Sequence, residues 1–111
     1  DGHDEISLTG DTKVVSNNNE FLIKPKDFNF DIIPSERIFG GNTIEEAASI
    51  FHDVLNLRAT KEQTDVVLAN SALAISIVKE IGISDAFEIA KDSLLNKKAL
   101  KSFNTLIELS K

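Results

Sequence analysis

Apolar and polar positions alternate along the first third of the chain, and this pattern predicts β-strands and a hairpin. The alternation begins at residues 6–8, resumes at residues 14–15 and returns in the apolar run at residues 21–23. Three asparagines at residues 17–19 lie between the last two runs, and asparagine tolerates a positive φ and bonds to its own backbone. We therefore expect the hairpin to turn there and to end before Pro25, which has no amide hydrogen for a strand ladder.

Two capping boxes mark the beginnings of the first two of four predicted helices. Thr43 is followed three residues later by Glu46, and Thr60 by Gln63, so that each hydroxyl can accept from the third amide while the later side chain returns to the cap. The second helix is apolar on nearly all sides, which predicts a central, buried helix. The first helix carries one apolar face, formed by Ile44, Ala47, Ala48, Phe51, Val54 and Leu55.

The rest of the sequence predicts two further helices, so the chain as a whole is predicted to have an α+β fold. Gly82 is expected to cap the end of the second helix and Ser84 the beginning of the third, and a fourth helix follows. In residues 28–34 the apolar side chains of Phe28, Phe30 and Ile32 recur at every second position. So short a stretch fits either a strand or an extended loop packed down by its aromatic side chains, and we favour the loop. The chain thus divides into residues 1–39, with the hairpin and this loop, and residues 40–111, with four helices.

The composition is that of an ordinary globular protein of one domain. Of its 111 residues 41% are apolar and 27% charged, and no run of about 18 apolar residues could cross a bilayer. The net charge of −6 works against attraction to phosphate backbones, so neither nucleic acid nor a membrane is expected as a partner. Without cysteine the chain can form neither a disulfide nor a thiolate metal site, and its acidic start does not resemble a signal peptide.

Two features predict that the chain is a piece of a longer protein. It contains no methionine, and its first residue is an aspartate. A two-stranded hairpin is also marginally stable on its own and needs neighbouring chain to pair with or pack against. We therefore expect further polypeptide beside the hairpin.

The acidic start, DGHDEIS, holds the strongest candidates for chemistry, Asp4 and Glu5. Mg²⁺ is commonly held by one or two carboxylates together with water and substrate phosphates, which suits this pair. Because neighbouring residues of a strand point to opposite sides, Asp4 and Glu5 either lie in a loop before the strand and share one ion or serve two ions. Asp1 would be a helper or a bystander. A solvated, charged chain end is the competing interpretation, and the residues alone leave both open.

The other conspicuous polar residues are interpreted as structural. His3 and His52 are lone histidines, and a lone histidine is not a zinc site. The pair Gly40 and Gly41 is more often a tight helix entry than an anion site. Polar residues of the buried helix are expected to bond to neighbouring backbone, and the scattered basic residues to lie on a solvated face. These are Asn70, Ser71 and Ser76 in the helix, and Lys24, Lys26 and Arg37 on that face.

Five blocks of the sequence carry a family resemblance: DGHDEISLTGDTKV, KPKDFNF, FGGNTIEEAASIFHDVL, VVLANSALAI and AFEIAKDSLLNKKALKSFNTLIELS. In this order they resemble the C-terminal portion of anthranilate phosphoribosyltransferases. DGHDEIS is similar to the Asp-Glu metal motif of that family, and LANSALA to its buried Asn-Ala-Ala helix. The resemblance implies a C-terminal fragment of the α/β domain of a nucleoside phosphorylase/phosphoribosyltransferase-type fold.

The resemblance also implies a function for the parent protein. Such an enzyme transfers the 5-phosphoribosyl group of phosphoribosyl pyrophosphate to anthranilate in tryptophan biosynthesis, with Mg²⁺ bound, which assigns Asp4 and Glu5 as metal ligands. It is cytoplasmic and a homodimer through an N-terminal helical domain. The family's glycine-rich phosphate loop and its anthranilate-contacting residues do not occur here, so no catalytic residue is assigned, the substrate-binding residues are unknown, and the chain alone should be inactive. The alternatives are a non-catalytic helical interaction module and a related pentosyltransferase with another acceptor.

Overall fold

The computed structural model describes residues 2–111, in which a short hairpin precedes four helices. The predicted α+β order is confirmed. The elements are β1 (Thr12–Val15), β2 (Glu20–Ile23), two 3₁₀ turns (Pro25–Phe28 and Ser35–Ile38), α1 (Ile44–Leu55), α2 (Lys61–Lys79), α3 (Ile83–Leu95) and α4 (Lys98–Leu109).

The hairpin turns at the asparagine run, as predicted. β1 and β2 are antiparallel, and the Ser16 amide donates to the Asn19 carbonyl oxygen at 2.8 Å to close the turn. The expectation of a strand at residues 6–8 was wrong, because this segment has no strand partner among the described residues. Leu8 adopts a positive φ of 62°, which breaks the extended backbone, although Ile6 and Leu8 are only 3% and 1% exposed.

The segment after the hairpin is a loop packed down by its aromatic rings, as predicted. Pro25 begins a 3₁₀ turn that ends at the buried Phe28. The ring of Phe87 on α3 lies 6.0 Å from that of Phe28 and 5.7 Å from that of Phe30, centroid to centroid. The Ile33 amide donates to the Leu8 carbonyl oxygen at 3.0 Å, so the loop also contacts the N-terminal segment.

The two predicted helix beginnings are confirmed, with one difference in detail. At α2 the box is complete, because Thr60 accepts from the Gln63 amide and Gln63 accepts from the Thr60 amide. At α1 Thr43 accepts from the Glu46 amide at 3.1 Å, but the Glu46 carboxylate accepts from the amide of Asn42, one residue before the expected donor. The Glu46 carboxylate thus still returns to the backbone at the helix entry, but to the residue before the cap.

The junction of α2 and α3 differs from the prediction. α2 ends at Lys79, and Glu80 rather than Gly82 is its left-handed C-cap, with φ 55°. Gly82 instead precedes α3 as its N-cap, and Ser84 lies inside that helix without capping it. The Ser76 hydroxyl donates to the Ile81 carbonyl oxygen at 2.6 Å, which closes the turn early and carries Ile81 to the core.

The core joins the N-terminal segment to one side of α2 and α3. Ala69 and Ala72 of α2 and Ala86 of α3 are fully buried, and Ile6 and Leu8 belong to the same cluster. Small side chains at these positions let the two helices and the N-terminal segment approach closely. A second buried cluster lies nearer α1 and contains Val54, Leu68, Ala90 and Leu94.

The prediction that α2 is a central, buried helix was wrong for one of its faces. Val78 is 82% exposed and Ile77 58%, because no described element covers that side of the helix. The apolar face of α1 is equally open: only Val54 is buried, and Ile44 is 85% exposed. Apolar cavities of about 330 and 350 Å³ remain between the helices.

Candidate functional site

Asp4 and Glu5 lie in a bend directly before the buried segment that begins at Ile6. Both side chains are exposed, and the bend places them outside a regular strand, as a shared ion would require. Asp1, the third carboxylate of the sequence motif, lies outside the described residues. Within residues 2–111 no group of three or more histidine, aspartate or glutamate side chains is arranged to hold a metal ion. This part of the chain therefore offers two hard oxygen donors, the kind that Mg²⁺ uses beside phosphates and water.

Asn70 attaches the backbone next to this bend to the middle of α2. Its Oδ1 accepts from the Ile6 amide at 3.0 Å, and its Nδ2 donates to the Ile6 carbonyl oxygen at 2.8 Å. The same Nδ2 donates to the Val66 carbonyl oxygen one helical turn earlier, at 2.9 Å. The predicted bond to neighbouring backbone is thus confirmed, but the two bonds to Ile6 were missed. A carboxamide among the apolar residues of a helix was the signal that could have found them.

The residues directly after Ile6 are also buried and hydrogen-bonded. Ser7 is buried, its Oγ lies 2.8 Å from the Thr9 hydroxyl, and it accepts from the Thr9 amide at 3.1 Å. Leu8 is fully buried, and its carbonyl oxygen accepts from the Ile33 amide. The Asp-Glu bend is therefore the exposed beginning of a segment whose next three residues are buried.

The glycine pair before α1 is a tight helix entry, as predicted. Gly41 has φ +90°, and a Cβ placed on it would lie 2.7 Å from the Cβ of Glu46. At Gly40 an added Cβ would meet nothing within 4 Å. The need for glycine at position 41 therefore arises from the chain itself, and no ligand is required to explain it.

His52 and the basic residues show no ligand-binding arrangement. The His52 side chain is exposed, and its ring packs edge-on against Phe103 with centroids 5.7 Å apart.

Lys26 forms an ion pair with Asp31 at 2.7 Å, and the hydrogen bond from Lys26 lowers the pKa of the Asp31 carboxyl group. Lys24 and Arg37 are exposed, so the predicted solvated face is confirmed for all three basic residues.

Within residues 2–111 no single helix is long and apolar enough to cross a bilayer. α2 and α3 meet that criterion only as a pair, and the two helices are bent by 118° at their junction.

Comparison with known proteins identifies the sequence relationship, although no protein-family model matches the chain. The chain is 44% identical over 110 residues to an anthranilate phosphoribosyltransferase of Flavobacterium johnsoniae and 43% identical over 110 residues to that of Flavobacterium psychrophilum. It is 43% identical over 111 residues to that of Phocaeicola vulgatus. The resemblance to anthranilate phosphoribosyltransferases is confirmed. Each alignment covers 99% of this chain.

The same alignments cover 33–34% of the relatives, so the chain spans about a third of the length of the curated relatives it matches. This share agrees with the C-terminal portion that the sequence blocks indicate. It also agrees with the open faces of α1 and α2, because large apolar surfaces are normally covered in a folded protein.

Proposed function

We propose that this chain is the C-terminal part of the catalytic domain of an anthranilate phosphoribosyltransferase. The complete protein would transfer the 5-phosphoribosyl group of phosphoribosyl pyrophosphate to the amino group of anthranilate, in the cytoplasm. The observation that carries the proposal is the 43–44% identity, over 99% of the chain, to proteins of that name.

The role proposed for this chain's carboxylates is to hold Mg²⁺ against the phosphates of the donor. Asp4 and Glu5 supply two exposed oxygen ligands from one bend, and Mg²⁺ usually completes its shell with water and substrate phosphates. When bound, the cation neutralises the charge that grows on pyrophosphate as it leaves the ribose. The two residues would therefore act on the leaving group and leave the choice of acceptor to residues elsewhere.

The rest of the domain is proposed to cover the open apolar surfaces. The radius of gyration is 14.6 Å, against about 13 Å for a compact domain of this length. Exposed apolar side chains occur on the hairpin and on every helix, for example Leu22, Ile44, Val78, Ile89 and Leu109. Further chain of the same protein would bury these surfaces and supply the donor-binding and anthranilate-binding residues. On its own the chain would be inactive, and dimerisation would use a region outside it.

Activity of the complete protein tests this proposal. The wild type should form phosphoribosylanthranilate from the two substrates, and the paired change Asp4→Asn with Glu5→Gln should lower turnover at least about 100-fold. A matched control is Asp11→Asn with Glu36→Gln, which neutralises two other exposed carboxylates and should leave turnover near the wild-type value.

The outcomes separate the parts of the proposal. If the wild-type protein does not use anthranilate but transfers the phosphoribosyl group to another acceptor, the proposed acceptor is wrong and the proposed transfer reaction is retained. A protein that binds no phosphoribosyl pyrophosphate in the presence of Mg²⁺ would instead be the non-catalytic helical module. Near-normal turnover of the Asp4 and Glu5 double variant would refute the metal role alone.

A further inference from the structure

The carboxamide of Asn70 forms more hydrogen bonds than α2 itself requires. Oδ1 accepts one hydrogen bond, and both hydrogens of Nδ2 are accounted for by the carbonyl oxygens of Ile6 and Val66. The helix itself needs none of these bonds, because its backbone groups are already paired along the turn. Two of the three bonds instead join α2 to a residue 64 positions earlier in the sequence.

The two bonds to Ile6 require a donor and an acceptor side by side. Residues paired across an antiparallel ladder exchange both backbone bonds, and the planar carboxamide of Asn70 reproduces that exchange with Ile6. An aspartate at this position would offer only acceptors when ionised and would face the Ile6 carbonyl oxygen with its own lone pairs. Alanine would leave the partly buried amide and carbonyl of Ile6 without these partners.

The contact with Asn70 matters because Ile6 directly follows Asp4 and Glu5 in the sequence. Its amide belongs to the peptide plane that joins Glu5 to Ile6, so the bond to Asn70 orients the backbone immediately after the carboxylate pair. The Ile6 side chain is 3% exposed and packs in the core with Ala69 and Ala72, the residues around Asn70 on α2. Glu5 is exposed on one side of this junction, and the chain is held to a capped, 19-residue helix on the other.

We propose that Asn70 is a positioning residue for the Asp4–Glu5 bend: it holds the backbone of the two carboxylates against α2, so that they meet the divalent cation and the donor phosphates at a fixed place. This proposal rests on the metal role proposed above for the carboxylates. A fixed backbone lowers the conformational entropy lost when the two side chains bind the ion. Side chains that orient metal ligands from behind typically change metal affinity or activity about 10- to 100-fold when they are removed.

The test is the Mg²⁺ dependence of donor binding by the complete protein. Binding of phosphoribosyl pyrophosphate is measured by calorimetry at a series of Mg²⁺ concentrations, without acceptor, so that no turnover takes place. For Asn70→Asp and Asn70→Ala we expect the half-saturating Mg²⁺ concentration to rise about 10- to 100-fold. The KM for anthranilate, measured at saturating Mg²⁺, should change little.

Ser76→Ala is the matched control on the same helix. Its hydroxyl makes one partly buried bond, to the Ile81 carbonyl oxygen, far from the acidic bend in the sequence. The change should reduce stability without altering the half-saturating Mg²⁺ concentration. Asn70 variants that fold, judged by circular dichroism, and keep the wild-type Mg²⁺ dependence would overturn the positioning role.

Amide hydrogen exchange of the wild type tests the bond between Asn70 and Ile6 without any variant, so the result does not depend on whether a variant folds. The Ile6 amide should exchange much more slowly than the amides of the exposed residues 3–5, both with and without Mg²⁺. Exchange of Ile6 as fast as those neighbours would overturn the proposal. A wild type whose donor binding is indifferent to Mg²⁺ would overturn the metal role and the positioning role together, whereas unaltered Asn70 variants of a Mg²⁺-dependent wild type would overturn the positioning role alone.

Discussion

The carboxamide of Asn70 forms hydrogen bonds with both backbone groups of Ile6, at 3.0 and 2.8 Å, although the two residues are 64 positions apart. These bonds connect the N-terminal segment, which has no strand partner among the described residues, directly to the long helix α2. They satisfy the partly buried backbone amide and carbonyl of Ile6, and a group of either kind that is fully buried without a partner costs about 1–3 kcal/mol. The acidic bend thus directly precedes a residue that is bonded to α2, although the side chains of Asp4 and Glu5 are exposed.

The first prediction concerns the entry to α1. Gly41→Ala places a residue with a Cβ at φ +90° and 2.7 Å from the Glu46 Cβ, whose carboxylate accepts from the Asn42 amide. We expect the free energy of unfolding to fall by about 1–3 kcal/mol, measured by denaturant titration of the complete protein. The matched change Gly40→Ala meets no atom within 4 Å and should cost less than about 0.5 kcal/mol. Equal losses for the two variants would show that Gly41 is not under this constraint.

The second prediction concerns the aromatic cluster that fastens the loop to α3. Phe87→Ala removes the ring that contacts both Phe28 and Phe30, and we expect it to lower the free energy of unfolding by about 3 kcal/mol. Phe87→Leu keeps most of the volume and should cost less than about 1.5 kcal/mol. Glu88→Ala, at the adjacent exposed position, serves as the control and should stay within about 0.5 kcal/mol of the wild type. A loss as small as this for Phe87→Ala would contradict the packing described.

The third prediction concerns the pH dependence of the junction between α3 and α4. The hydrogen bond from Lys98, at 2.6 Å, and that from Asn96 hold the pKa of Asp92 below its ordinary value of 3.8. Because the pKa is lower in the folded state than in the unfolded state, the resulting stabilisation is fully present above the ordinary value and is lost as the pH falls through the folded-state pKa. The stability difference between the wild type and Asp92→Asn should therefore be constant near neutrality and shrink in strong acid.

A carboxyl-carbon NMR titration checks the cause of this shift. In Lys98→Met the pKa of Asp92 should rise towards the ordinary value, but not reach it while the Asn96 bond remains. An unchanged pKa in that variant would show that Lys98 is not the principal cause. Raising the salt concentration should also weaken the Coulomb part of the effect, because the side chains of both residues are about half exposed or more.

The amino-acid sequence by itself determined the features that depend on near neighbours. The asparagine run turns the hairpin and Thr60 caps α2 with Gln63, because these interactions join residues at most three positions apart. The sequence also singled out Asp4 and Glu5 as candidate ligands for a hard cation, and that role stays a prediction.

Tertiary structure alone decided the features that depend on distant contacts. Residues 6–8 alternate like a strand but have no strand partner within residues 2–111, and the side chain of Asn70 takes that place. Gly82 could cap either helix by its chemistry, and the early closure at Ser76 and Ile81 gives that role in α2 to Glu80. No local pattern reveals which face of α2 is covered, because burial depends on what other parts of the chain lie against it. The physical reason is the range of the interaction: a cap or a turn is complete within a few residues, whereas a pairing across 64 residues exists only once the chain has folded.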